Sequence, residues 1–416
     1  MAETLAIDVL WLVEHVVREL DVACAASLHL AAQGRSVTIE PVHGNADRIR
    51  AAYAPGVVVT PYCYSAREFG VRDFVAGWAE PPTFFNLSWE QLYYGAYLEY
   101  KAPHDAFARE QVIHHAWGGF FKEYLARFGV PEHRVRVNGN PAYALFEQPY
   151  RHRFKTRTEL AASAGLDPAK RWVFFPENYR WAFYQDVELE GMITRGMSRE
   201  DAYGMRAFCC DSLVQTMLWL IAAARDGSVE VILRPRPTSD VESFEAILRE
   251  LSPTGRVPRR LHVIKSDSVR EWLMASDVAC SSYSTTMIEA AIAGKPAYFL
   301  EPIPIPTPLQ ASWHARVPRI HTRQQFLMTA VTRKPDPSAS AELERWARSE
   351  MLGHGDPIAG LARIIGDLCP AARPTAAPGV VLGPPENIPP SPDRFTQRDI
   401  DAIARAFDRA RLSSAA

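Results

Sequence analysis

Residues 277–300 read DVACSSYSTTMIEAAIAGKPAYFL. Asp277–Cys280 is a short apolar strand. Ser281–Thr286 then places six hydroxyl side chains in a row. Thr286–Ala293 has helical composition and is closed by Gly294, and Pro296–Leu300 is a second apolar strand. Strand, polar turn, helix, glycine stop and strand make one β-α-β unit, whose strands run parallel and are buried on both faces. The rest of the chain repeats this unit. Upstream come strands at Trp172–Phe175, Val229–Leu233 and Leu261–Ile264, with helices at Val241–Leu251 and Val269–Met274. Asp211–Ala224 sets Leu213, Val214, Met217, Leu218 and Ile221 on one helical face.

The first third has the same rhythm. Strands are expected at Ile7–Val13, Ser36–Val42, Gly56–Pro61, Thr83–Asn86, Gln111–His115 and Val135–Asn138. Helices are expected at Leu20–Ala32, Ala46–Tyr53 and Phe120–Phe128. Between the two sets, Arg151–Lys170 is polar and basic, as a linker would be. The fold expected is therefore α/β, with two doubly wound parallel sheets. The domains expected are 1–150 and 171–370. A Pro-rich crossing segment at 371–395 cannot be a helix or a central strand. A helix at 396–412 puts Ile400, Ile403 and Phe407 on one face. That helix would return to the first domain or bind a partner.

Composition narrows the function classes. The chain has 416 residues, 47% hydrophobic and 23% charged, which is globular and enough for two or three domains. Net charge is −2, divided as −5 over 1–150 and +3 beyond, so nothing favours a nucleic-acid partner. None of the six cysteines forms a C-x-x-C pair, which suits reduced thiols and a cytoplasmic setting. The run Leu5–Val13 contains Asp8 and lacks a basic leader, so it reads as a buried strand, not a signal peptide. No uninterrupted apolar run approaches the ~18–20 residues of a membrane span.

In doubly wound sheets, ligands sit at the carboxyl ends of strands. After Val229–Leu233 comes Arg234-Pro235-Arg236-Pro237, two guanidinium groups stiffened by proline and suited to a phosphate. After Asp277–Cys280, Ser281, Ser282, Ser284 and Thr285 precede a helix start, where free N–H groups and hydroxyls favour an anion. Glu289, one turn further on, could accept ribose hydroxyls. Carboxylates for acid–base or nucleophilic chemistry are Glu14 and Glu19 near the first strand's end, Glu90 after Thr83–Asn86, and Glu177 after Trp172–Phe175. Among these, Glu90 is favoured because Trp89 would desolvate it, whereas Arg18 would hold Glu19 ionised. Arg18, Asp21, Trp89 and Asn140 are further polar or aromatic positions after strands of the first third. The aromatic runs Trp89–Tyr100 and Tyr179–Tyr184 could stack on sugar rings.

Taken in order, several of these segments resemble a known family. Arg-Pro-x-Pro after one strand, Ser-Ser before a helix and Glu-Ala-x-x-x-Gly-x-Pro across its end are similar to the donor half of GT-B glycosyltransferases. Arg18-Glu19-Leu20-Asp21, His115-Ala116-Trp117-Gly118 and Asn138-Gly139-Asn140-Pro141 resemble bacterial surface-carbohydrate biosynthesis proteins. Those proteins are similar in layout to capsule sialyl- and Kdo-transferases and to CDP-glycerol glycerophosphotransferases. The resemblance spans roughly residues 5–300. Many relatives carry His where this chain has Arg236, so a fixed cation replaces an imidazole. The resemblance implies two Rossmann-like domains facing a cleft, and transfer from a nucleotide sugar to a glycan or lipid-linked glycan, with Arg18, Asp21, Trp89 and Asn140 as the acceptor or sugar residues. It implies no metal and no other cofactor, and no Asp-x-Asp motif is present. A CMP-linked acid sugar such as Kdo fits the serines and the arginine pair, with UDP, GDP and CDP open. The expected place is the cytoplasm, at or near the inner face of the cell membrane. The alternatives are a non-hydrolysing UDP-sugar 2-epimerase and a non-catalytic sugar-nucleotide-binding assembly subunit.

Overall fold

The computed structural model of the chain describes residues 4–68, 70–99, 101–194, 196–237, 239–353, 355–370, 379–385 and 394–414. Two compact units emerge. The first comprises 1–91, 99–153 and 348–416; the second comprises 92–98 and 154–347.

The first unit holds a seven-stranded sheet. Its strands are β1 (Leu5–Val13), β2 (Val37–Pro41), β3 (Tyr53–Thr60), β4 (Thr83–Asn86), β5 (Ile113–Ala116), β6 (Val135–Val137) and, far along the chain, β13 (Val381–Leu382). They lie in the order β13-β2-β1-β3-β4-β5-β6, and every neighbouring pair is parallel. Central β1 is buried on both faces, which is why its sequence is a continuous apolar run. Asp8 is tolerated within it because its carboxylate accepts the Ser36 N–H at 2.8 Å and the Ser36 hydroxyl at 2.9 Å.

The second unit holds β7 (Arg171–Pro176), β8 (Val229–Arg234), β9 (Leu261–Val263), β10 (Val278–Ser281), β11 (Ala297–Leu300) and β12 (Arg319–Ile320). Their order is β12-β11-β10-β7-β8-β9, again all parallel. Each sheet reverses its winding direction once, between β1 and β3 in the first unit and between β7 and β10 in the second. A doubly wound sheet offers its binding crevice at the carboxyl ends beside such a reversal.

Three expectations change. Residues 348–370 were expected in the second domain but pack in the first unit. There the helix Pro357–Leu368 lies on the helix Val16–Ala32 and buries Ile358, Leu361 and Ile365. Within the Pro-rich crossing segment, 371–378 and 386–393 lie outside the described residues, while Val381–Leu382 forms edge strand β13. The third concerns length and hydropathy. The helix Arg199–Asp226 is long and apolar enough to cross a membrane, although most of its apolar stretch is buried within its own unit. Val214, expected on its buried face, is exposed. The final helix, Gln397–Ser414, does pack in the first unit. It buries Ile400 and Phe407, with the Phe407 ring edge-on to Tyr150.

Candidate functional site

In the first unit, β1 ends at Val13 and the next helix begins at Val16, so the chain turns within two residues. That turn puts Glu14, Arg18 and Glu19 together. Arg18 is the hub. Its Nη2 donates to Glu19 Oε1 at 2.6 Å and to Glu14 Oε2 at 3.1 Å, and its Nη1 reaches Glu90 Oε1 at 3.4 Å. Lys101 closes on the other Glu90 oxygen. Glu19 is fully buried, and its second oxygen accepts the Glu14 N–H at 2.8 Å. Burial raises the Glu19 carboxyl above the usual range, and Arg18 only partly offsets this. The expectation that Arg18 would depress it is therefore corrected. Burial works to lower the Arg18 guanidinium, but Glu19, Glu90 and Glu14 outweigh it and the net direction is upward.

The desolvation expected at Glu90 is also corrected. Trp89 turns into the core at 6% exposure, whereas the Glu90 side chain is about half exposed and paired with cations. Trp89 is thus not a sugar platform. Asp21 is buried and pairs with Arg153, so it belongs to the packing of the first unit. Asn140 is 1% exposed and caps the short helix Pro141–Ala144 by accepting the Ala142 N–H at 2.9 Å. Neither forms part of a surface site.

The motif around residues 115–141 proves structural. His114 and His115 are buried, and burial lowers both to about 4, so they are neutral at pH 7. His114 Nε2–H donates to the Ala108 carbonyl at 2.7 Å, and its Nδ1 faces the Asn86 amide at 3.2 Å. Asn138 donates to the Pro357 carbonyl, and Gly118 and Gly139 run close against Glu350 and Leu352. These residues seat the returning segment 348–357.

In the second unit, the two arginines separate in role. Arg234 is 6% exposed and donates to the carbonyls of Ser266 and Asp267 at 2.8 and 2.6 Å. Burial lowers it to about 10. It is an internal brace, which corrects its place as a phosphate fork. Arg236 is half-buried, and its Nη1 donates to Asn178 Oδ1 at 2.9 Å. Glu177 is buried. One of its oxygens accepts the Arg236 N–H at 3.2 Å and the other accepts the Tyr179 N–H. Burial raises its carboxyl despite those hydrogen bonds. Glu177 is thus the clamp that shapes the loop carrying Arg236. Asn178 was not anticipated; its adjacency to Glu177 at the end of β7 was the available signal.

The hydroxyl row is mostly spent internally. Ser281 donates to the Pro176 carbonyl at 2.6 Å, and Ser282 is buried near the Tyr179 hydroxyl. Tyr283 meets Cys209, and Ser284 donates to Thr286. Thr285 remains half-buried. The helix that follows, Thr286–Ile292, has only seven residues. Glu289 is raised by burial, with Arg270 opposing. Of the aromatic run 179–184, Tyr179 and Trp181 are core, leaving Phe183 and Tyr184 half-buried. Within the run 89–100, Tyr94 donates to the Tyr283 carbonyl at 2.9 Å, and Tyr100 lies outside the described residues. Beside the loops after β7 and β8, an open cavity is lined by Arg180, Phe183, Tyr184, Glu188, Ser239, Asp240 and Ser243. Among the described residues, no group of three or more His, Cys, Asp or Glu could hold a metal ion.

Two all-parallel Rossmann-like units with these switch points define the GT-B fold. Among solved structures, the chain is similar to the wall teichoic acid polymerase TagF soaked with CDPG, at 10% identity and TM-score 0.54. That match covers 87% of this chain and 88% of the other. It is also similar to a UDP-N-acetylglucosamine 2-epimerase from Listeria monocytogenes, described as putative, at 13% identity and TM-score 0.52, covering 87% and 95%. At these identities the likeness is one of fold. No protein-family model matches the chain, and no curated protein matches its sequence.

Proposed function

We propose that this chain is a glycosyltransferase-type enzyme of surface-glycan synthesis that binds a nucleotide-linked donor through its second unit. The observation that carries the reading is Arg236. Its guanidinium is accessible and held by Asn178, and its backbone is set by Glu177, at the carboxyl end of β8 next to β7, the strand that borders the switch point. A pre-positioned guanidinium suits the donor phosphates and would stabilise the departing nucleotide. Thr285 stands after β10, on the same end of the sheet. In the first unit, Glu14, Arg18 and Glu90 also follow strand carboxyl ends, those of β1 and β4, and they suit a hydroxyl-bearing acceptor. Glu90, the most accessible of these carboxylates, is assigned the base that takes the acceptor proton. CMP, UDP, GDP and CDP are the donors to be compared, and the acceptor is a glycan or lipid-linked glycan met at the inner face of the membrane.

The test is a thermal-shift series with those four nucleotides on the full chain. One of them should raise the midpoint, because a ligand that binds only the native state stabilises it by mass action. Arg236→Ala should weaken that nucleotide by roughly 10–100-fold, the worth of a charged hydrogen bond. Unchanged affinity in a folded Arg236→Ala protein would overturn the donor-site assignment. Product analysis separates transfer from 2-epimerisation, which needs no acceptor.

A further inference from the structure

We propose that the cavity after β7 and β8 binds an uncharged, hydroxyl-rich ring or polyol, the sugar-like part of the ligand whose phosphate Arg236 holds. The inference rests on that reading of Arg236 and adds the substrate class. The lining has two carboxylates, Glu188 and Asp240, two hydroxyls, Ser239 and Ser243, and the rings of Phe183 and Tyr184. Its one cation, Arg180, lies over the Tyr184 ring at 5.2 Å. Counted over these lining side chains the charge is net negative, with Lys265 donating to the Ser239 carbonyl at 2.8 Å beside them.

Each carboxylate keeps acceptor capacity. Asp240 accepts the Ser243 N–H at 2.6 Å and the Ser243 hydroxyl at 2.9 Å, one on each oxygen. Glu188 accepts the Gln185 N–H at 2.8 Å through one oxygen. A carboxylate offers about four lone-pair sites, so both remain able to receive hydroxyl donors. Half-buried aromatic rings beside such acceptors suit the C–H faces of a sugar. A ligand carboxylate or phosphate in the same place would meet Glu188 and Asp240 as like charges. The acid sugar expected from the sequence does not suit this lining.

The cavity is also joined to Arg236. The Ser239 N–H donates to the Arg236 carbonyl at 3.0 Å. Arg236, which carries the guanidinium, and Ser239 of the cavity wall are therefore tied together by one backbone hydrogen bond. A ligand with an anionic end and a neutral end is matched by that pair.

The experiment uses saturation-transfer NMR on the full chain, with methyl glucoside and N-acetylglucosamine as neutral probes and Kdo and N-acetylneuraminic acid as acidic ones. The neutral probes should bind. Tyr184→Ala and Glu188→Gln should each weaken them about fivefold or more, the scale of one lost aromatic or hydrogen-bonded contact. The acidic probes should give no signal. Glu188 is exposed, so Glu188→Gln tests the site without threatening the fold. Stronger binding of the acidic probes, no binding of the neutral ones, or neutral binding indifferent to both variants would each overturn the proposal. If nucleotides still require Arg236 while the neutral sugars fail, this inference falls and the phosphate reading stands. If the neutral sugars bind as expected but nucleotides ignore Arg236, the phosphate reading falls, and with it the assignment of the cavity to the same ligand.

Discussion

Arg234 and Arg236 stand two residues apart, yet they do unrelated work. The proline after each restricts both backbones, and that restraint was readable from the sequence. What was not readable is that the carbonyls of Ser266 and Asp267, some thirty residues on, would claim the first guanidinium. Local spacing reports stiffness; it does not report which donor is already taken. The carboxylates of the first unit teach the same lesson. Glu90 was favoured over Glu19 and Glu14 for a desolvation by Trp89 that is not there, and burial separates the three on other grounds. Glu19 is enclosed and orients Arg18 and the Glu14 backbone, while Glu90 is reachable. Glu90→Gln should therefore lower turnover by ~100-fold, the low end for lost proton transfer, with nucleotide affinity nearly intact. Glu19→Gln should instead lower the melting midpoint. Its cost should stay below the ~3–5 kcal/mol of breaking a fully buried pair, because Arg18 keeps Glu14 and Glu90. Steady-state kinetics beside thermal melts decide the matter. Normal turnover in Glu90→Gln would move the chemistry to Glu14.

At the scale of elements, the β-α rhythm was legible because parallel strands buried on both faces are apolar runs, and glycines such as Gly34, Gly129 and Gly294 adopt the positive φ that ends a helix. The strand ends, and hence the site loops, followed from that. The motif at 115–141 misled because short polar-aromatic signatures mark close backbone approach as readily as a ligand site. Gly139 shows the difference. Its φ is +88°, and a Cβ there would stand 2.6 Å from the Leu352 carbonyl oxygen. Gly139→Ala should destabilise the protein by about 2 kcal/mol or more, through strained backbone and an overlap the neighbouring chain must move to relieve. Gly119→Ala is the control. Nothing lies within 4 Å of its added Cβ, and it opens the helix Gly119–Arg127, so it should be neutral or slightly stabilising. Denaturant melts of both variants check this. Equal midpoints would mean that the Gly139 turn is not under the constraint seen here.

At the scale of the whole molecule, apart from the short excursion 92–98, the chain crosses from the first unit to the second near residue 153 and back near 348. The outward crossing had a sign in the sequence, the polar stretch 151–170. The return had none. The helix Pro357–Leu368 carries the same amphipathic periodicity whichever sheet it covers, and only its partners decide. Those partners are specific. Asp356 caps the helix and accepts the Tyr150 hydroxyl at 2.6 Å, and Gly360 leaves room for the Asn138 side chain. The first unit should therefore depend on residues far outside its contiguous stretch. Ending the chain after Ala347 removes the buried Ile358, Leu361, Ile365, Ile400 and Phe407 from that unit. At ~1.5–3 kcal/mol for each large apolar side chain, the loss is on the order of 10 kcal/mol as an upper estimate. That equals the whole stability of an ordinary domain, ~5–15 kcal/mol. The second unit keeps every strand of its own sheet. Hydrogen exchange on the shortened chain should then show β1 and β3 deprotected while β7, β8 and β10 stay protected. Protection of β1 equal to that in the full chain would mean that the returning segment contributes little to the first unit, and that its helices serve some purpose other than completing the core.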